Sequence, residues 1–127
     1  MCYLCKRCEI PPLLGLSLPV AKQFVDANGR SPYEEWFINL HPPAAAKVTG
    51  AIIRMERGNF GNVKGVGPGV FEYVLDFGPG YRIYFGKDGD QIIILLGGET
   101  KKRQQKDINL AIDRWQDYKQ RKKLGEK

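Results

Sequence analysis

Histidine is nearly missing from this chain, which has only His41, and its three cysteines, Cys2, Cys5 and Cys8, are confined to the first eight residues. Those shortages exclude a Ser-His-Asp or Cys-His catalytic set. Thiolates at this Cys-x-x-Cys-x-x-Cys spacing suit a zinc or iron–sulfur half-site, but a closed site needs a fourth ligand and His41 lies far along the chain. No metal and no other cofactor is expected. An odd number of cysteines crowded into one short stretch cannot staple a fold, which fits a reducing, cytoplasmic compartment. Long apolar runs are also missing: the longest, Leu13 to Leu18 and Ile92 to Leu96, fall far short of the roughly 20 residues that cross a bilayer, so a soluble protein without a membrane partner is expected. There is no Walker pattern, no carboxylate pair placed for glycoside chemistry, and no internal repeat.

What remains is a chain of 127 residues, 43% hydrophobic, enough for one core and too short for two ordinary domains. Residues 1–19 share no pattern with the rest of the chain and end at Pro19. They are expected to be a disordered or misassigned leader, and the domain is expected to span 20–127. Charge is concentrated at the other end. Residues 101–127 hold ten Lys/Arg against four Asp/Glu, a balance of +6, while residues 1–100 hold ten of each. Such an excess favours an anionic partner, which nucleic acid, an acidic protein or a membrane surface would each satisfy.

Patterning predicts the order of elements. A strand is expected over Val20 to Val25. Ser31-Pro32-Tyr33-Glu34 reads as a helix start, with Ser31 as cap and Pro32 in the first helical position, and that helix is expected to run to Leu40. After His41-Pro42-Pro43, the spacing of Val48, Ala51, Ile52 and Met55 predicts a second helix ending at Gly58. Residues 58–69 carry five glycines and read as a loop. From Val70 the period falls to two, giving a strand with Phe71, Tyr73, Leu75 and Phe77 opposite Glu72 and Asp76. A second strand over Tyr81 to Phe85 and a third over Gln91 to Leu96 complete a meander, with Gly97-Gly98 expected to stop the sheet. Ile108, Ala111, Ile112, Trp115 and Tyr118 form one stripe of a final helix. The expected class is α+β, with helices packed on a largely antiparallel sheet.

Alternation over Tyr81 to Phe85 places Arg82 and Tyr84 on one face, opposite Tyr81, Ile83 and Phe85. A guanidinium forks onto phosphate oxygens and a phenol bonds them or stacks on a base, chemistry suited to RNA. The structural alternative is an Arg82 paired with Glu72 or Asp76 across the hairpin and a Tyr84 that covers the sheet. Lys64, in the glycine-rich stretch, would meet a phosphate there or simply belong to a loop. Thr100-Lys101-Lys102-Arg103-Gln104-Gln105 is the densest basic stretch. Cations at a helix start oppose the helix dipole, which favours a functional reason for them.

Four motifs in order, Asn28-Gly-Arg-Ser-Pro-Tyr33, Arg57-Gly-Asn-Phe-Gly-Asn-Val-Lys64, Asp76-Phe-Gly-Pro-Gly-Tyr-Arg-Ile-Tyr-Phe85, and Leu95-Leu-Gly-Gly98 with Thr100 to Gln105, resemble the phage-derived addiction-module killer branch of the RelE/HigB toxin superfamily. The resemblance implies a RelE-like fold of an N-terminal strand, two helices, a three-stranded antiparallel meander and a C-terminal helix. It also implies a toxin that cleaves mRNA on the ribosome and an antitoxin partner with a helix-turn-helix domain. By position, Arg82 matches the arginine that holds the scissile phosphate, and Lys101 to Arg103 match the basic stretch after the last strand. Lys64 is a looser match. Glu99 replaces a glycine common in this branch, and Lys106 stands where RelE has a catalytic tyrosine. The expected site therefore comprises Arg82, Tyr84, Lys64 and Lys102 as catalytic groups, with Lys101, Arg103 and Lys106 binding RNA. Two other functions fit the residues: a ParE-like inhibitor of DNA gyrase, and a nucleic-acid-binding module without chemistry.

Overall fold

A computed structural model of the chain describes residues 19–100 and 105–125. The expected leader, apart from Pro19, lies outside those residues, as do Lys101, Lys102 and Arg103. Strand β1 (Val20–Gln23) is followed by helices α1 (Pro32–Phe37) and α2 (Pro42–Glu56), strands β2 (Val63–Gly67), β3 (Val70–Leu75), β4 (Tyr81–Asp88) and β5 (Ile92–Thr100), and helix α3 (Gln105–Lys123). The strands form one sheet in the order β1-β5-β4-β3-β2. β1 runs parallel to β5, and every other pair is antiparallel.

This corrects the expected RelE-like arrangement: the sheet is mixed and five-stranded, not a three-stranded antiparallel meander. The glycine-rich stretch is partly a strand, because ladder hydrogen bonds come from the backbone, and Lys64 pairs with Glu72 and Gly65 with Phe71 whatever side chains are present. Its glycines serve close approach. Gly69, at φ 75°, turns β2 into β3 directly beneath the Trp115 ring, where a Cβ would lie 2.4 Å from the indole nitrogen. The first helix also stops early. Ser31 accepts from the Glu34 N–H at 3.1 Å, as its capping role requires, but the helix ends at Phe37 and Asn39 folds its side chain back onto the Glu35 carbonyl.

Helices cover both faces of the sheet. Val48, Ala51 and Met55 of α2 and Tyr33 of α1 bury against Tyr73, Leu75, Tyr81, Ile83, Phe85, Ile93 and Leu95 on one side. On the other, Ile108, Ala111 and Trp115 of α3 bury against Phe24, Val70, Tyr84, Ile94 and Leu96. The alternation expected for β4 is the one found.

Gly97 and Gly98 do not stop the sheet, since β5 continues through them to Thr100. The Trp36 ring of α1 lies on Gly98, with its nearest atom 2.2 Å from where a Cβ would stand, and its indole N–H bonds the Thr100 hydroxyl at 3.1 Å. Gly98→Ala therefore drives a methyl into a ring held at both ends and should destabilise the domain by about 1–3 kcal/mol in urea unfolding. An unchanged midpoint would show that Trp36 does not need the glycine.

Candidate active site

Arg82 and Tyr84 share the α3 face of β4, and an irregularity in β5 brings Glu99 to the same face. Tyr84 pairs with Gly97 but Phe85 with Leu95, so Leu96 is an extra residue, a β-bulge. Its carbonyl accepts from Arg114 Nη1 of α3 at 3.1 Å. The bulge shifts the alternation by one. Counting by twos from Ile94 and Leu96, which face α3, would send Glu99 to the far side; instead its carboxylate receives the Tyr84 hydroxyl at 2.8 Å.

The guanidinium of Arg82 lies between two carboxylates. Its Nε is 3.8 Å from Glu72 Oε1 and its Nη1 is 3.9 Å from Glu99 Oε2, both beyond hydrogen-bond length. Lys64 Nζ of β2 approaches Glu72 Oε2 at 3.8 Å. Glu72 is fully buried and Glu99 is 7% exposed, whereas the Arg82 and Lys64 side chains are 25% and 64% exposed. Two cations thus sit at the surface over two carboxylates beneath.

Burial sets the proton chemistry here. It pushes Glu99 up to about 7 from an ordinary 4.5, assisted by the Asp107 carboxyl in the first turn of α3 and opposed by the Tyr84 hydrogen bond and Arg82. Because the folded-state value is raised, Glu99 favours folding most below pH 4.5 and loses that contribution as pH rises through about 7. Burial and the neighbouring Glu99 also hold the Tyr84 phenol well above its ordinary value, so it remains a donor.

The fold brings together Arg82, Tyr84 and Lys64 of the expected residues. Tyr84, 2% exposed, meets Glu99 and not the surface. Lys106 is exposed on the first turn of α3. Lys101, Lys102 and Arg103 lie outside the described residues. Sequence reasoning offers Glu72 or Asp76 as a structural partner of Arg82, of which the fold brings Glu72 to within 3.8 Å, and it misses Glu99 and Asp107 as part of the site. Among the described residues no three potential metal ligands cluster, and no helix is long and apolar enough to cross a membrane.

Fold and site together define a small domain with a five-stranded mixed sheet between helices and a partly buried Lys–Glu–Arg–Glu cluster at the start of its last helix. The chain is 40% identical over 80 residues, 62% of its length and 81% of the relative's, to an uncharacterized protein of Haemophilus influenzae, and belongs to the family of that protein. No family model matches it.

Proposed function

We propose that this chain is the toxin of a toxin–antitoxin module, a cytoplasmic endoribonuclease that cleaves mRNA on the ribosome. The observation that carries the reading is the position of Arg82 and Lys64 at the surface above Glu72 and Glu99, in a chain whose sequence follows Thr100 with Lys101, Lys102 and Arg103. Resemblance to the RelE/HigB toxins supports it.

In the proposed reaction the RNA 2′-oxygen attacks the adjacent phosphorus. The 2′-OH gives up its proton as the 2′-O–P bond forms, and O5′ gains one as the P–O5′ bond breaks, leaving a 2′,3′-cyclic phosphate on one fragment and a 5′-hydroxyl on the other with no net proton change. Arg82, Lys64 and Lys102 stabilise the charge that gathers on the phosphorane, and such fixed charges usually supply the largest contribution in a site of this kind. These side chains supply it without a metal. Lys101, Arg103 and Lys106 hold the flanking backbone. Tyr84 keeps Glu99 oriented. An antitoxin with a helix-turn-helix domain is expected to cover the basic C-terminal region, whose charge of +6 would speed association with an acidic segment.

A translation extract programmed with a reporter mRNA tests this reading. Cleaved message is expected. Intact message together with blocked DNA supercoiling by gyrase would assign the chain to the ParE-like inhibitors, and salt-sensitive RNA binding without either effect would leave a binding module.

A further inference from the structure

Arg82 lies between two carboxylates, its Nε 3.8 Å from Glu72 Oε1 and its Nη1 3.9 Å from Glu99 Oε2, so a ligand phosphate that engages its guanidinium competes with both. We propose that phosphodiester binding at Arg82 and Lys64 is coupled to uptake of a proton by Glu99, so that the site takes up its anion and a proton together. This rests on the reading of the site as an RNA-handling one.

The groups around Glu99 set the direction of the coupling. β4 presents Arg82 and Tyr84; Glu72 of β3 and Lys64 of β2 lie beyond Arg82; α3 contributes Asp107, and Arg114 over Gly97. Trp36 and Thr100 lie on the opposite face. When a phosphate draws Arg82 to itself, Glu99 loses the cation that favours its charged form and gains an anion nearby. Both changes favour the neutral acid. At 7% exposure little water is present to stabilise the charge instead. Glu99 Oε1 accepts from the Tyr84 hydroxyl at 2.8 Å, Oε2 lies 3.9 Å from Arg82 Nη1, and the Asp107 carboxyl beside Glu99 favours its neutral form. Glu99 already titrates near neutrality, at about 7, so the uptake falls where affinity changes most with pH.

Calorimetric titration of the full chain with a 2′-O-methyl oligoribonucleotide, which cannot undergo 2′-OH attack, measures the coupling in buffers of different ionisation heat. Above neutral pH the parent should take up close to one proton per oligonucleotide, and Kd should rise by up to about tenfold per pH unit. A dimethyl phosphate monoanion, which does not titrate in this range, should show the same uptake at lower affinity. Glu99→Gln, which fixes the neutral state, should bind without proton uptake and with a Kd flat in pH. Tyr84→Phe removes the bond that favours ionised Glu99 and should move the pH dependence upward. It also decides the matter alone if Glu99→Gln does not fold. Binding without uptake in the parent, uptake undiminished in Glu99→Gln, an unmoved or lowered midpoint in Tyr84→Phe, or no binding at all would overturn the proposal. Cleavage is scored separately. Proton-linked binding by a parent that leaves mRNA intact on the ribosome would refute the nuclease reading and leave the coupling standing.

Discussion

Arg82→Ala is expected to lower mRNA cleavage by about 10²–10³-fold, the usual consequence of removing one charge-stabilising donor from a transition state. Arg82→Lys should recover only part of that loss, since an ammonium keeps the charge but not the planar fork that meets two phosphate oxygens. Stability falls as well. Glu72 is fully buried and Glu99 nearly so, and taking away their shared cation removes favourable charge from both, although Lys64 stays beside Glu72. Because Arg82 is 25% exposed, the loss should stay near or below roughly 3 kcal/mol, the low end for breaking a buried pair. It should shrink at acid pH, where Glu99 is protonated. A residue with only that structural role would reduce cleavage no further than the folded fraction falls. Melting temperature and cleavage measured on one preparation separate the two roles.

Trp115→Ala should cost about 3–5 kcal/mol, the range for deleting a large buried aromatic. The Trp115 ring is 5% exposed, stacks on Tyr118 at 5.3 Å between centroids, and lies so close over Gly69 and Gly86 that a Cβ at either would be 2.4 Å from it. Neither glycine has a side chain that could move into the space. Against a total stability of roughly 5–15 kcal/mol for such a domain, that is a large share, and α3 holds Asp107 and Arg114 against the site. Trp115→Phe should lose much less. Urea unfolding is the measurement, and a cost for the alanine variant well below the low end of that large-to-small range would mean that α3 is anchored elsewhere.

Periodicity makes part of this architecture legible. The stripe of Ile108, Ala111 and Trp115 faces the sheet, and alternation along β4 puts Arg82 and Tyr84 on one side, because both patterns come from local geometry. Glu99 is not legible in the same way. Its face depends on the extra residue at Leu96, and the bulge depends on Arg114 to satisfy a carbonyl and on glycines that admit Arg114 and Trp36. Arg114 comes from the last helix and Trp36 from the first, so no local window contains both partners and the strand. β2 escapes for a related reason: glycine content signals a turn, whereas here it lets Ile112 and Trp115 approach the backbone of an edge hairpin.

Attack of the RNA 2′-OH on the adjacent phosphate is the reaction proposed for this chain. Its most direct test is to map the ends of a reporter mRNA after translation in a purified system with the parent protein, and to determine the chemistry of those ends. The expected result is cleavage within translated codons, leaving a 2′,3′-cyclic or derived 3′ phosphate on one side and a 5′-hydroxyl on the other. An intact message, or fragments that begin with a 5′-phosphate, would contradict it.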